Sequence, residues 1–415
     1  MNEHNFIRAD ALTFGSVEFF AILGIIVYAI IKYRCSLIPV YVLFLPFTDK
    51  VYRVADIQIA DVLGALIVCR ALLKNKFPIN GYAVILFGFF ALGGWVGVYF
   101  FGDYFSLLYI VRVSVIVLAS ISIADELRRS PALFLVVSKA YRFIVIFSVG
   151  VATLQALLWL LGLPINGVFW VGYIRVKGLA HEPSTFGVWL ALALPLIIQN
   201  KEAVRKNTID KPLLSAILLG TALTSSAAAF LTMCVISFFM IFNNPRISSK
   251  KKIAGFAFLA FGGVVLATVF REVFYENIFL KTAAYLAELM DPTLEDTSGR
   301  GGDRYLFLLL AESPFTGIGA FRSSRAGDVL AELGMDVYIP GSNFYMTTVV
   351  EFGLIVGPIL LVMLLGWIFW TIRKTSKKNS QWGCSVVGWF FAISAMRIFG
   401  FHQPWLNYAL FIGKK

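Results

Sequence analysis

Two cations, a histidine and a carboxylate fall within eight residues of one another at Arg175, Lys177, His181 and Glu182, in the stretch Tyr173–Ser184. An arginine can grip a phosphate through two parallel N–H bonds, and a lysine adds a point charge beside it. A partly desolvated glutamate has a raised affinity for a proton and can act as a general base. Anion binding next to a base is therefore one reading of this cluster. The other is a loop whose cations meet lipid headgroups and whose Glu-Pro-Ser-Thr run opens the next helix, with Pro183 in its first turn.

Three further clusters lie downstream. In Ser298–Tyr305, Arg300 and Arg304 flank a Gly301-Gly302 pair ahead of an apolar helical pattern. Free N–H groups at a helix start with two guanidinium groups suit a diphosphate, whereas a solvated hinge with Asp303 as a cap needs the same residues. The third, Glu312–Arg322, holds Pro314, Gly317 and Gly319 and reads as a tight turn returning the chain to an apolar segment, with Arg322 and Arg325 as cationic candidates. The fourth is Gly341-Ser-Asn343-Phe-Tyr345, followed by Glu351-Phe-Gly353 inside an apolar run. A carboxylate there needs a partner, and Arg397 is one choice. Asp61 and Arg112 form a second such pair by type.

Several other chemistries have no footing. There is no P-loop, no Asp-x-Asp pair and no Gly-x-Ser-x-Gly elbow. Gly317-Ile-Gly319 is a fragment of a dinucleotide fingerprint without its strand or third glycine. His4, His181 and His402 are too scattered for a metal site, so no metal and no cofactor are expected. Cys35, Cys69, Cys234 and Cys384 lie in or beside apolar runs and read as small buried hydrophobes.

The elements that must carry these clusters are membrane spans. Of the 415 residues, 59% are hydrophobic and only 14% charged, and the mean hydropathy is +0.80. A soluble fold is about half apolar and a quarter charged. The class is therefore an all-α, polytopic integral membrane protein. Apolar runs at 15–31, 35–47, 57–73, 81–101, 105–124, 143–162, 185–199, 212–225, 226–243, 253–270, 345–371 and 383–400 give about 12 transmembrane helices. The runs at 35–47 and 212–225 are short enough to be broken or re-entrant. The first has no small-residue cleavage site behind it and reads as retained. The net charge of +12 is spread in short clusters between spans and is no nucleic-acid signal. Twenty-one of the lysines and arginines fall at 32–34, 70–76, 125–142, 200–211, 244–252 and 372–381, against 7 in the opposite short segments, which makes the first set cytoplasmic.

That orientation puts 163–184 and 271–344 outside the cytoplasm. The chain thus divides into 1–270 with helices 1–10, a large external loop over 271–344, and 345–415 with helices 11 and 12 plus a tail. The long loop carries 6 bases and 11 acids, and its sequence predicts surface helices over 278–290 and 303–312. Residues 406–413 are too few to cross and fit a half-helix. Trp159, Trp170 and Tyr173 sit near the outer interface, either in an aromatic belt or as stacking faces for sugars.

Taken in order, RVKGLAHEPSTFGVWLALALPL, TALTSSAAAFLTM, SGRGGDRYLFLLLAESPFTGIGAFR and GSNFYMTTVVEFGLIVG resemble the O-antigen polymerase (Wzy-type) and O-antigen ligase superfamily. The layout of the whole chain is similar to that family, and the motifs cover about 175–360. The resemblance implies a GT-C-type glycosyltransferase in the bacterial inner membrane with its active site on the periplasmic side. Donor and acceptor would be oligosaccharides on undecaprenyl diphosphate, with membrane lipid around them and a chain-length regulator as a family partner. Neither a nucleotide sugar nor a metal is implied.

On that resemblance, Arg300 and Arg304 hold the donor diphosphate, Arg175 and Lys177 assist or hold the acceptor, and Glu182 or His181 takes the proton. Arg322, Asn343 and Tyr345 complete the substrate-binding set. One departure weighs on the alternative of a ligase, which transfers finished polymer to lipid A core. Many relatives, ligases especially, have a histidine directly before the residue matching Asn343; here it is Ser342. A flippase is the rival of a different class, but the ionisable residues are few within the spans and no internal repeat is visible.

Overall fold

The computed structural model describes residues 37–47, 53–54, 57–73, 104–163, 168–170, 174–180, 182–198, 209–243, 248–250, 252–253, 310–311, 313–319, 344–378, 381–393 and 402–413, with single positions at 95, 99 and 287. Most of these are helical. The elements are α1 (Leu37–Leu43), β1 (Arg53–Val54), β2 (Ile57–Gln58), α2 (Ile59–Leu73), α3 (Tyr104–Arg129), α4 (Pro131–Leu160), β3 (Val168–Trp170), β4 (Ile174–Val176), α5 (Pro183–Leu192), a 3-10 turn (Leu194–Ile198), α6 (Lys211–Thr224), α7 (Ala227–Phe242), α8 (Phe344–Lys378), α9 (Gln381–Ala392) and α10 (His402–Gly413). The chain forms two compact units, one from 1–77, 119–233 and 405–415, the other from 78–118 and 234–404.

In the first unit α4 packs against α1 and α6, and α5 packs on α6. Its buried stripe is Val137, Ser138, Tyr141, Ile144, Val145, Ser148, Val149, Ala152 and Ala156, residues recurring at helical spacing. The opposite face is Val136, Phe143, Ile146, Phe147, Leu154, Leu157 and Leu160, all exposed, with Phe143 at 61% and Leu160 at 64%. Serine and alanine share the inner face with valine, isoleucine and tyrosine, and the outer face is bulky hydrocarbon as well. A water-soluble helix turns polar residues to its outer face. Close approach through small residues under a hydrocarbon exterior is how helices pack in lipid.

Two described helices are long and apolar enough to cross a membrane: α4 and residues Tyr345–Thr375 of α8. Neither is a buried core helix, because only about a third of each is covered (33% and 28%). The predicted runs at 15–31, 81–101 and 253–270, and the loop helices over 278–290 and 303–312, lie outside the described residues apart from isolated positions.

Two boundaries differ from the sequence reading. The stretch 125–142 is not a loop. Helix α3 runs on to Arg129 and α4 starts at Pro131, with Ser130 between them accepting from the Leu133 N–H at 3.4 Å. A serine cap followed by proline in the first turn starts a helix at once. The basic residues there, among them Arg128, Arg129 and Arg142, ride on helices. Arg142 is in turn committed inside the fold, since its Nη2 lies 3.0 Å from Oδ2 of the buried Asp210. Asp210 also caps α6 by accepting from the Leu213 N–H at 3.3 Å.

The second difference is at the C-terminal end, where helix α10 starts at His402, ahead of the expected 406–413 half-helix; its 12 residues are still too few to cross a bilayer. The Asn407 side-chain amide donates to the Leu192 carbonyl at 3.1 Å, an acceptor left open where α5 tightens into the 3-10 turn. Nε of Arg128 donates to the Ile412 carbonyl at 2.9 Å, a cation at a helix C-terminus.

Candidate functional site: the Arg175–Glu182 cradle and the latched break in α8

In the first unit the site begins with a hairpin. Strands β3 and β4 pair antiparallel with Phe169 opposite Arg175, and the chain then turns at Lys177–Ala180, closed by the Ala180 N–H on the Lys177 carbonyl at 3.0 Å. The turn is tied to α4, because Gln155 donates its side-chain amide to the Gly178 carbonyl at 3.1 Å. Lys177 is buried. Glu182 then occupies the cap position of α5 with Pro183 behind it.

Arg175 joins three elements. Its Nε donates to the Thr224 carbonyl at 3.2 Å and its Nη2 to the Ser184 hydroxyl at 3.2 Å. Thr224 ends α6, so the guanidinium sits on an open carbonyl at the negative end of a helix. Glu182 does not cap the backbone of α5 with its side chain. Its Oε1 instead accepts from the Thr185 hydroxyl at 3.0 Å. Among the described residues, neither Arg175 nor Glu182 is in an ion pair. The arginine is held by neutral oxygens, and the carboxylate seven residues on is held by a hydroxyl.

The backbone around Thr224 is unusual. Helices α6 and α7 are separated by Ser225, a non-glycine residue in the left-handed region at φ 46°. The Ser226 hydroxyl caps α7 by accepting from the Ala229 N–H at 3.3 Å. Gly187 of α5 lies against this break. A Cβ there would be 2.6 Å from Thr224 Oγ1 and 2.7 Å from the Ala229 Cβ, so only glycine lets α5 approach so closely.

The second unit contains a different construction. The run Ser313–Gly319 docks on an interruption of α8 at Gly353, whose φ is 75° and ψ 176°. Such a residue breaks the helical ladder and orphans the groups on either side of it. The loop takes up three of them. Ile318 donates its N–H to the Val350 carbonyl at 3.1 Å, Gly319 donates to the Glu351 carbonyl at 3.1 Å, and the Leu354 N–H donates to the Pro314 carbonyl at 2.7 Å. Backbone polar groups shut away from water need partners of this kind. Gly317 and Gly353 face each other: a Cβ on Gly317 would lie 2.5 Å from the Gly353 nitrogen, and one on Gly353 would run into the Phe315 carbonyl.

The glycines of the third cluster therefore form the tight turn that the sequence suggested. Their pairing with Glu351-Phe-Gly353 was not visible, since nothing in the spacing couples segments so far apart. Tyr345, expected to touch substrate, has its hydroxyl donated to the Phe390 carbonyl at 2.6 Å. Glu351 is buried. Asp61 accepts from the Gln58 N–H at 2.7 Å at the start of α2, a capping role that needs no catalytic purpose. His181, Arg300, Arg304, Arg322, Arg325, Asn343 and Arg397 lie outside the described residues. No group of acidic, histidine or cysteine side chains with metal-binding geometry occurs among the described residues.

Comparison with protein-family models and with curated proteins gives no match to this chain.

Proposed function

We propose that this chain is a polytopic inner-membrane glycosyltransferase that polymerises oligosaccharide repeat units carried on undecaprenyl diphosphate, working at the periplasmic face. The observation that carries the reading is the state of Arg175 and Glu182: a cation and a carboxylate held close in sequence, each by neutral oxygens, neither spent on an ion pair among the described residues. Both side chains are half-buried, so part of each remains accessible to a ligand. The resemblance of the four ordered motifs supplies the reaction class. The hydrocarbon exterior of α4 supports a lipid surround, and the GT-C-type architecture with about twelve spans belongs to the same proposal.

In this reading the acceptor sugar's hydroxyl oxygen attacks the anomeric carbon of the donor. The bond from that carbon to the diphosphate oxygen breaks, and undecaprenyl diphosphate leaves with the electron pair. Glu182, or His181 beside it, takes the hydroxyl proton. Arg175 faces the negative charge of a diphosphate, with Lys177 adjacent in the turn. Arg300 and Arg304 hold the donor diphosphate, while Arg322 and Asn343 belong to the substrate-binding set. A donor aimed at developing charge is worth about 3–4 kcal/mol. Tyr345 enters this set through the anchor that it makes to Phe390 rather than through a free hydroxyl.

The test is reconstitution. Purified protein is supplied with the organism's own undecaprenyl-diphosphate repeat unit, without metal or nucleotide sugar, and the product is resolved on a gel. A ladder that is lost in Arg175→Ala and in Arg300→Ala supports polymerisation. Transfer only after lipid A core is added makes the protein a ligase in spite of Ser342. Folded protein that transfers nothing under either condition sinks the proposal and leaves transport as the reading.

A further inference from the structure

The bend in α8 is sharper than a kink. Tyr345 and Trp367 both reach Phe390: the tyrosine hydroxyl donates to its carbonyl at 2.6 Å, and the Trp367 ring lies 5.1 Å from its ring. On a straight helix the two residues would be about 33 Å apart, farther than two side chains and one phenylalanine can bridge. Gly357 gives the same result from another direction. A Cβ there would sit 2.7 Å from the Val349 Cα, although two helical turns separate these residues and would hold them about 12 Å apart on an unbroken axis. Residues 344–352 therefore fold back along the first turns of the segment that starts at Leu354.

That remaining segment is sufficient as a span. Leu354–Thr375 is about 32 Å long as a helix, close to the hydrocarbon thickness of a bilayer. Its exposed side carries Leu354, Ile355, Ile359, Val362, Leu365 and Phe369. Its far end meets the basic run Arg373, Lys374, Lys377 and Lys378, which marks the cytoplasmic side. Gly353 is then at the outer surface, and a helix folded back from it points inward.

We infer that residues 344–352 are a re-entrant half-helix, with its bend at the outer surface and its starting end within the bilayer. Three features hold it. The Ser313–Gly319 latch satisfies the backbone at the bend, the facing Gly317 and Gly353 allow the two backbones to touch, and the Tyr345 hydroxyl ties the deep end to α9. Tyr345 and Gly353 are thus positioning residues. The half-helix buries Thr347, Thr348 and Glu351, polar side chains that a lipid-facing helix would not carry. This inference rests on the membrane reading and its orientation, not on the chemistry proposed for Arg175.

Cysteine chemistry tests it, in full-length protein whose four native cysteines are replaced by alanine and which still elutes as a single folded species. A short bis-maleimide should join the pair Tyr345→Cys and Phe390→Cys as readily as the control pair Trp367→Cys and Phe390→Cys. Joining of the control pair alone would mean a straight helix and overturn the inference. In spheroplasts, an impermeant maleimide should label Phe315→Cys, at the exposed latch, and fail to label Tyr345→Cys until detergent is added. Equal labelling of both from outside, or labelling of Phe315→Cys only from inside, overturns it as well. Release of the protein from membranes by alkaline carbonate would instead remove the membrane reading on which it stands.

Discussion

Arg175 separates a structural role from a chemical one, because it has the geometry for both. It closes the end of α6 and touches the start of α5, so its removal leaves an open carbonyl and costs some stability. Hydrogen bonds to charged groups contribute about 1.5–3 kcal/mol. Arg175→Ala should lower chain growth by two to three decades, while the melting temperature in detergent falls only by the amount expected for those bonds. Arg175→Lys should not restore activity, because an ammonium cannot reach the Thr224 carbonyl and the Ser184 hydroxyl with the spread of a guanidinium. Ser184→Ala is the control: it removes one of the two contacts, leaves the charge, and should keep most of the activity. A loss of stability in Arg175→Ala that matches its loss of activity, measured on the same preparation, would assign the residue to structure alone. At this scale the sequence was informative. Arginine, lysine and glutamate close together near a proline gave both readings at once, and only the hydrogen-bond partners discriminate between them.

Packing between elements depends on a few positions where a backbone comes too near for a side chain. Gly187→Ala would drive a methyl group into Thr224 and Ala229 and should cost about 1–3 kcal/mol, as overpacking does, read as a lower midpoint of thermal unfolding. Gly353→Ala meets two penalties, a positive-φ extended conformation (φ 75°, ψ 176°) that is essentially restricted to glycine and costs about 1–3 kcal/mol, and the Phe315 carbonyl in its path. It should abolish the cross-link between positions 345 and 390. Arg142→Ala leaves Asp210, 5% exposed, with its capping bond but no counter-charge, and should cost about 2 kcal/mol. The lesson about legibility is mixed here. Ser130-Pro131 is a plain helix start, but 125–142 falls between two apolar runs and carries basic residues, so hydropathy assigns it to a connection. Gly353 sits in a run of apolar residues with nothing beside it to mark a break. Its meaning comes from a partner segment beginning at Ser313, and proximity of that kind is set by tertiary folding, which a hydropathy profile cannot see.

For the whole molecule, the hydrocarbon outer face of α4 makes a direct prediction. Phe147 lies on the exposed face of α4. In water, a lysine at such a position would change stability by less than about 0.5 kcal/mol. At the centre of a lipid-exposed helix it costs roughly 3 kcal/mol to insert. Phe147→Lys should therefore reduce the amount of protein in the membrane fraction sharply, and the same change at the solvent end of α3 should not. Equal membrane levels for the two would argue that the outer face of α4 meets water or another protein. The helical character was readable from the apolar runs, and two of the described helices are long and apolar enough to cross a membrane. The number of spans is a finer matter, since it depends on runs such as 345–371 where one glycine turns a single helix into two.

The way the first unit is assembled along the chain bears on how it is made. Its parts come from 1–77, 119–233 and 405–415, and the bonds from Asn407 to Leu192 and from Arg128 to Ile412 join the middle part to the last. A ribosome adding about 5–20 residues each second produces Leu192 well before Asn407 exists. During that interval the turn after α5 has an open carbonyl and the groove for α10 is empty. The first unit is thus left unfinished while residues 234–404 are synthesised. Quality control therefore has a natural checkpoint at the arrival of α10, and a released chain ending at residue 400 should be degraded faster than one ending at residue 413.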